Sequence, residues 1–257
     1  MRLLIGAPVA HRDWIIDRWY RHAVAAGIQH DLEFVVAAHP DDPTPAALMA
    51  VAEDPVHVVT VDEPRPGDQR VWSEPRFAAM ARIRNQLLGA VRDLQPDLFL
   101  SLDSDILLHP DALAVMVDMI EKFDAASSAC FLSRPPRRKS NGEIGAPSWR
   151  NPNYAMLSQA GQIRREWRPS ATMRVDAIMA IKLMLPAVYS VDYQSHPQGE
   201  DCGWGLACRY EKVSLGWTSM AVSKHVMDST CDEHAVHDPS CADCVDPLTR
   251  VDPRCGY

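Results

Sequence analysis

Two aspartates, Asp103 and Asp105, stand one residue apart directly after the apolar run Asp97–Leu102. That run is typical of a buried strand, and ligands of open parallel sheets bind at the carboxyl ends of strands. Two carboxylates this close repel each other, so we expect a bound cation to stabilise the pair. Carboxylate oxygens suit Mg²⁺ or Mn²⁺, which also bind phosphate oxygens. The alternative is a cap for the helix that begins near Pro110.

A second acidic pair, Glu200-Asp201, follows Gly199 at the predicted start of a helix. One of these carboxylates could accept a proton from a hydroxyl group that reacts. The alternative is that both acids only stabilise the helix N-terminus. His225 ends the apolar run Met220–Val226 and could be a further metal ligand, although a lone histidine is more often structural.

An arginine-rich element, Ala81-Arg82-Ile83-Arg84-Asn85, precedes the first aspartate pair. The guanidinium group of arginine suits contacts with a diphosphate. A solvated helix face is the alternative interpretation of this element.

Strands and helices alternate in the first half of the sequence, which predicts an α/β sandwich around a mostly parallel sheet. The second half begins with the segment Ser133–Asn153, whose prolines and glycines predict a long loop. The predicted strands are Leu3–Gly6, Leu32–Ala37, Val56–Val61, Asp97–Leu102, Arg174–Leu185 and Met220–Val226. The predicted helices are Trp14–Ala25, Pro45–Ala52, Pro75–Asp93, Pro110–Phe123 and Glu200–Glu211.

These motifs together resemble the family 2-type glycosyltransferases, which have the GT-A fold. The similarity rests on Ala-Arg-x-Arg-Asn, then Leu-Ser-Leu-Asp-Ser-Asp at residues 100–105, then Glu200-Asp201 and Gly216-Trp217. It extends in order over about residues 1–227, although Asp-Ser-Asp-Ile departs from the commoner D-x-D-D pattern. The resemblance implies a GT-A-like Rossmann-type sandwich that transfers a sugar from a UDP- or GDP-sugar donor.

The resemblance also implies roles for individual residues. Asp105 and His225 would bind Mn²⁺ or Mg²⁺ on the diphosphate, and Asp103 would contact the metal or the ribose. Asp201 would be the general base, with Glu200 as the alternative, and the anomeric centre would be inverted. A retaining reaction stays open. The donor would be contacted by Ala7, Pro8, Val9, Arg84 and Asp103.

A basic stretch between Cys130 and Val175 contains nine basic and two acidic side chains, in a chain with a net charge of −8. Such a surplus of positive charge favours a polyanionic partner, and interleaved aromatic rings suit stacking against bases or sugars. We therefore expect the acceptor to be DNA, for example a hydroxymethylated pyrimidine of the kind that viral enzymes glucosylate. A glycan or a protein hydroxyl is the alternative acceptor. The expected acceptor contacts are Arg137, Arg138, Lys139, Trp149 and Trp204.

The last part of the chain is rich in cysteine and histidine, and Cys241-x-x-Cys244 has the spacing of metal ligands. The sequence therefore predicts a structural zinc site formed by Cys231, Cys241, Cys244 and Cys255. A flexible tail with free thiols, or disulfides, are the alternatives.

We expect a glycosyltransferase domain at residues 1–227, divided at residue 125 into a donor half and an acceptor half, and a tail at residues 228–257.

No run of apolar residues is long enough to span a membrane, which favours a cytoplasmic protein, or one in the host cytoplasm if it is virus-encoded.

Two other classes of protein compete with a glycosyltransferase. A sugar nucleotidyltransferase usually has a glycine-rich loop after its first strand, which residues 6–13 lack. A nucleic-acid-binding module without catalysis would explain the basic stretch but leaves the acidic pairs unexplained.

Overall fold

The computed structural model describes residues 1–63, 73–133, 148–151, 153–157, 163–164, 168 and 170–226. These residues form an α/β sandwich, as the alternation of strands and helices predicts. Within them no helix combines the length and the apolar character that crossing a membrane requires.

The five predicted helices and the first four predicted strands are present with boundary changes of a few residues. The strands are β1 (Arg2–Pro8), β2 (Asp31–Ala38), β3 (Val56–Thr60), β4 (Leu98–Leu102), β5 (Ile106–Leu107), β6 (Ala125–Ser133), β7 (Ser148–Asn151), β8 (Tyr154–Leu157), β9 (Ile163–Arg164), β10 (Thr172–Val175), β11 (Ala177–Ile178), β12 (Ile181–Met184) and β13 (Leu215–Val226). The helices are α1 (Ile16–Gly27), α2 (Thr44–Met49), α3 (Glu74–Leu94), α4 (Ala112–Met119) and α5 (Glu200–Tyr210), with a 3₁₀ turn at Pro186–Val188. Strands β5 to β9 were not predicted.

The central sheet has the strand order β10-β13-β6-β12-β4-β1-β2-β3. Strands β3, β2, β1 and β4 are mutually parallel. Strand β12 is antiparallel to both β4 and β6, and β13 is parallel to β6. Strands β6 and β13 therefore run in the same direction as β4, which confirms the prediction of a mostly parallel sheet.

The sheet separates two hydrophobic cores, because successive side chains of a strand point to opposite faces. On β1, Leu3 and Ile5 pack with residues of α1, α2 and α4 on one face, and Leu4 packs with residues of α3 and α5 on the other. At Gly6 of β1, side chains of the neighbouring strands fill the space beside the backbone, since an added Cβ would lie 2.7 Å from Cγ1 of Val35 on β2.

Two predicted features of the second half differ from the structure, and the long strand β6 was not predicted. The predicted strand Arg174–Leu185 is wrong as a continuous strand, because it is divided into β10, β11 and β12. The break before β12 falls at Ala180, which has a φ of 54°, a left-handed conformation that apolar periodicity does not reveal. The segment predicted as a loop contains β7, which pairs with β6. Strand β6 was not predicted, because its first residues are alanines and serines rather than large apolar residues.

Candidate active site

The ends of three strands bring the predicted site residues to one edge of the sheet. Gly6 of β1 pairs with Ser101 of β4, so Pro8 and Asp103 leave the sheet side by side. Strand β12 is antiparallel to β4 and pairs Ile181 with Leu102, which places the start of β12 at the same edge. This is the position where parallel α/β sheets bind their ligands.

The backbone of Asp103 is fixed from two sides. Its N–H donates a hydrogen bond to the carbonyl oxygen of Ala180 over 2.8 Å, and its own carbonyl oxygen accepts one from Nε1 of Trp19 over 3.1 Å. The carboxylate keeps 26% of its side-chain surface exposed. Asp103 is therefore rigid at the backbone and still accessible at the carboxylate.

Arg84 extends from α3 beneath this edge and joins the two acidic motifs. Its Nη2 donates to Oδ1 of Asp103 over 2.8 Å, and its Nε donates to Oε1 of Glu200 over 3.2 Å. Burial alone would lower the pKa of Arg84, but Asp103, Asp201 and Glu200 raise it well above its ordinary value. Arg84 is thus a permanent cation among three carboxylates, which does not fit the solvated helix face left open by the sequence.

Asp105 and His225 face each other across β5 and β13. The register pairs His225 with Ile106, and the N–H of Val226 donates to the carbonyl oxygen of Asp105 over 2.8 Å. As a result, Nε2 of His225 lies 3.2 Å from Oδ1 of Asp105. Burial lowers the pKa of His225, but Asp105 outweighs it and raises that pKa to about 10.

The sequence analysis missed Arg12, whose Nη2 donates to Oδ2 of Asp105 over 2.8 Å. The loop that carries Arg12 is held by α2 and the turn before it. The N–H of Arg12 donates to Oγ1 of Thr44 over 2.8 Å, and the N–H of His11 donates to Oδ2 of Asp42 over 2.9 Å. No motif marks Arg12 in the sequence, because only the fold brings this loop to Asp105.

Glu200 and Asp201 form the first turn of α5, which Gly199 precedes with a φ of 110°. Oδ1 of Asp201 lies 2.8 Å from Nζ of Lys182, a buried residue of β12. Burial and the Asp201 charge raise the pKa of Glu200, against the effect of Arg84. Burial would raise the pKa of Asp201 too, but Lys182 and Arg84 lower it below its ordinary value.

The side chains that could hold a divalent cation are the two carboxylates of Asp103 and Asp105 and, after loss of its second ring proton, the imidazole of His225. Oxygen and imidazole ligands of this kind suit Mn²⁺ and Mg²⁺. Across the described ranges, no three His, Cys, Asp or Glu side chains are gathered into one group that could bind a metal. Asp103, Asp105 and His225 therefore do not form a metal site by themselves, and their roles as metal ligands stay predictions.

The predicted donor contacts Ala7, Pro8 and Val9 end β1 at this edge. The side chains of Ala7 and Val9 are buried in the core beneath the sheet edge. Pro8 is half-buried, and its carbonyl oxygen accepts a hydrogen bond from Oγ of Ser104 over 3.2 Å. Only Pro8 of the three presents side-chain surface to a ligand.

Trp204 does not have the position expected for an acceptor contact. It is fully buried, its ring stacks on Tyr193 with centroids 5.5 Å apart, and its Nε1 donates to the carbonyl oxygen of Val191 over 3.1 Å. A ring without exposed surface cannot stack against a bound sugar, so the prediction for Trp204 is wrong and the ring belongs to the core.

Other predicted site residues lie outside the described part of the chain. Arg137, Arg138 and Lys139 fall in residues 134–147, and only the backbone of Trp149 is described. The four cysteines of the expected zinc site, Cys231, Cys241, Cys244 and Cys255, fall after residue 226. Both the acceptor contacts and the zinc site therefore stay predictions.

Comparison with known proteins gives similarity in structure alone. No protein-family model matches the sequence, and no curated protein is similar to it in sequence. S. aureus TarS in complex with UDP-GlcNAc superposes with a TM-score of 0.56 at 12% identity, over 89% of this chain and 59% of TarS residues 1–349.

Two further structures are similar to the same extent. The mannosyltransferase PcManGT from Pyrobaculum calidifontis, in complex with GDP-Man and Mn²⁺, has a TM-score of 0.53 and 14% identity over 87% of this chain and 56% of that one. Glucosyl-3-phosphoglycerate synthase from Mycobacterium tuberculosis, with Mg²⁺ and UDP, has a TM-score of 0.51 and 14% identity over 91% and 74%.

These similarities show that the chain has the GT-A fold of nucleotide-sugar glycosyltransferases, as its motifs predict. At identities of 12% to 14% the shared feature is the fold. The chain spans 59% of the TarS structure and 56% of the mannosyltransferase.

Proposed function

We propose that this protein is a metal-dependent glycosyltransferase that moves a sugar from a UDP- or GDP-sugar to an acceptor hydroxyl. The observation that supports the proposal is that Arg84 contacts both Asp103 and Glu200, while His225 pairs with Asp105 two residues after Asp103. Arg84 thus connects directly two acidic motifs that are far apart in the sequence. If these acidic residues served only as helix caps, no connection between the two motifs would be required.

The donor diphosphate is expected to bind between the end of β1 and the turn after β4. Asp103, with its exposed carboxylate, and Asp105 with His225 would hold Mn²⁺ or Mg²⁺ here. When bound, the cation supplies positive charge that stabilises the leaving diphosphate. Arg12, which pairs with Asp105, adds a guanidinium group at the same place, and this group suits a phosphate oxygen.

The transfer step needs a base on the acceptor side, and Asp201 is the residue we assign. Its carboxylate accepts the proton of the acceptor hydroxyl as that oxygen forms a bond to the anomeric carbon. The bond between the anomeric carbon and the diphosphate oxygen breaks, and the nucleoside diphosphate leaves with the electron pair. A single in-line displacement of this kind inverts the anomeric centre.

Release of nucleoside diphosphate from UDP- and GDP-sugars, with and without chelator, tests the proposal. We expect Asp105→Asn to lower kcat by about 100-fold or more while thermal unfolding stays cooperative. The matched control is Asp97→Asn, because Asp97 precedes β4 at the opposite edge of the sheet and accepts a hydrogen bond from the N–H of Arg2. Full activity of Asp105→Asn in chelator contradicts the proposal, and pyrophosphate release from a nucleoside triphosphate indicates a nucleotidyltransferase instead.

For the acceptor we propose DNA carrying a hydroxymethylated pyrimidine. The support is the basic stretch of the sequence, nine basic against two acidic side chains in an otherwise acidic chain. A base in a duplex would have to leave the stack to reach the site. Binding to DNA should weaken steeply with salt. Absence of DNA binding at low salt, with transfer to a glycan or protein hydroxyl, would overturn the DNA assignment.

A further inference from the structure

A lysine lies in the core directly behind the acceptor side of the site. Lys182 is the second residue of β12, between Ile181 and Leu183, and none of the three side chains has exposed surface. An ammonium group removed from water is costly unless it is paired with an opposite charge. The position of Lys182 therefore calls for a specific partner.

The surroundings of Lys182 provide one carboxylate and two aromatic rings. Its Nζ lies 2.8 Å from Oδ1 of Asp201. The same atom lies 5.5 Å from the ring centroid of Tyr193 and 6.0 Å from that of Trp204. Aromatic faces attract a cation in this distance range. The stacked rings of Tyr193 and Trp204 therefore keep water away from one side of the ammonium group, and Asp201 supplies its counter-charge.

The main chain of Ala180 also lies near Asp201. The backbone N–H of Ala180 helps to lower the pKa of Asp201, and the carbonyl oxygen of Ala180 accepts a hydrogen bond from the N–H of Asp103 over 2.8 Å. The left-handed conformation of Ala180 turns its N–H and its carbonyl oxygen toward these two aspartates. The two acidic motifs are therefore linked by one residue at the start of β12.

We propose that Lys182 is a positioning residue that keeps the Asp201 carboxylate ionised and fixed in place to accept the proton of the acceptor hydroxyl. The proposal rests on the proposed function. Glu200, the neighbouring acid, is held by Arg84 and not by Lys182. Arg84 acts on both carboxylates at the start of α5, but only Asp201 also has the Lys182 ammonium group as a counter-ion.

Four charged or titratable groups face Asp201. They come from α3, β12, the segment before α5, and α5 itself: Arg84, Lys182, Tyr193 and Glu200. Burial and the Glu200 charge favour a protonated Asp201, whereas Lys182 and Arg84 favour the carboxylate. Loss of the Lys182 charge should therefore raise the pKa of Asp201, and a base that is already protonated cannot accept the hydroxyl proton.

The first experiment compares pH profiles of kcat/KM for the full chain and two variants. Lys182→Met keeps the length and the apolar stem of the side chain and removes the charge. We expect the acid limb of its profile to move upward by about 1 to 3 pH units, with kcat reduced at low pH and the donor KM unchanged. Lys182→Arg retains a cation and should keep the limb close to that of the wild type. An unmoved acid limb in Lys182→Met overturns the proposal.

The second experiment does not need activity and separates this proposal from the proposed function. In ¹³C NMR of the aspartate carboxyl carbons, the Asp201 signal is identified by its absence in Asp201→Asn. We expect its titration midpoint to rise in Lys182→Met by about 1 to 3 pH units. An unchanged midpoint overturns the proposal even if the wild type transfers sugar. A wild type that releases no nucleoside diphosphate refutes the proposed function, and with it the role of Asp201 as base.

If Lys182→Met folds too poorly for these measurements, a double-mutant cycle of thermal unfolding tests the coupling between Lys182 and Asp201. Each single variant, Lys182→Met or Asp201→Asn, leaves one buried charge without its partner, so each should lower the midpoint of thermal unfolding. The double variant removes both charges and should recover much of the loss. If the two single losses simply add in the double variant, Lys182 and Asp201 are not coupled and the proposal is wrong.

Discussion

The side chain of Asn85 forms two hydrogen bonds with the backbone of Tyr193. Its Nδ2 donates to the carbonyl oxygen of Tyr193 over 3.0 Å, and the N–H of Tyr193 donates to its Oδ1 over 2.7 Å. This contact joins α3 to the segment that leads into α5. The neighbouring residue Arg84 extends into the site and contacts Asp103. Within the Arg-Asn pair of the motif, Arg84 therefore contacts the acidic residues, and Asn85 holds the segment that leads into α5.

Asn85→Ala should remove both hydrogen bonds and leave the backbone groups of Tyr193 without these partners. We expect the free energy of unfolding to fall by about 1 to 3 kcal/mol, measured by urea denaturation. Because Tyr193 packs on Trp204 and lies near Lys182, the variant should also lower kcat. A variant that is destabilised and keeps the wild-type kcat would show that Asn85 stabilises the fold without positioning the site.

Arg84→Met should be strongly destabilising, because it leaves Asp103 and Glu200 without the cation that both contact. Breaking a buried ion pair by removal of one partner costs about 3 to 5 kcal/mol. Urea denaturation near neutral pH measures this loss, and lowering the pH should reduce it as the orphaned carboxylates become protonated.

The control for this variant is Arg82→Met on the same helix. The Arg82 side chain is 55% exposed and pairs with Glu63 at the surface. Exposed ion pairs contribute little to stability, so the unfolding midpoint should match that of the wild type. Equal losses in both variants would mean that Arg84 stabilises the protein only as a residue of α3, as Arg82 does, and not through its contacts with Asp103 and Glu200.

The order of elements and the position of the acidic motifs were predictable from the sequence. Apolar periodicity and the alternation of strands and helices locate α3 and β4 within a residue or two of their bounds. The end of β4 then places Asp103 and Asp105 in a turn at the carboxyl end of the strand, where ligands bind, and the start of α5 carries Glu200 and Asp201. These features depend on local pattern and on the general rules of parallel sheets.

The residues that the sequence did not reveal act through contacts between distant segments. Arg12 lies in a loop without a motif and reaches Asp105 only because β1 and β4 are neighbours. Lys182 offers one usable signal, since a lysine inside an apolar strand needs a buried partner. Trp204 was misassigned because its place beside Glu200-Asp201 in sequence does not show which face of α5 it occupies.

Asp42 should give the fold a component of acid sensitivity. Burial raises the pKa of Asp42, but hydrogen bonds from Thr44 and His11 outweigh it and lower that pKa. A carboxylate with a lowered folded pKa stabilises the protein above its unfolded pKa of about 3.9, and this contribution is lost as the pH falls through the folded value.

Asp42→Asn should therefore be less stable than the wild type at pH 6, and the difference should shrink below about pH 4. Urea denaturation at a series of pH values from 6 to about 3 measures the difference directly. Asp17→Asn on the exposed face of α1 is the matched control and should track the wild type. A difference that is constant over the whole range would show that the carboxylate charge of Asp42 is not involved.

Gly203→Ala should prevent α5 from docking in its present position. A Cβ at Gly203 would lie 2.0 Å from the carbonyl oxygen of Gln194, a backbone atom that cannot turn away as a flexible side chain can. We expect a loss of about 3 kcal/mol in the free energy of unfolding. Activity should fall by more than the loss of folded protein accounts for, because Glu200 and Asp201 lie at the start of the same helix. Gly89→Ala in α3 is the matched control, because among the described residues no atom outside the nearby part of the same helix lies within 4 Å of the added Cβ. There the gain in helix propensity should stabilise the protein by roughly 0.5 to 1 kcal/mol. If Gly203→Ala were as stable and active as Gly89→Ala, the close approach of α5 to Gln194 would not be what holds the acidic pair at the sheet edge.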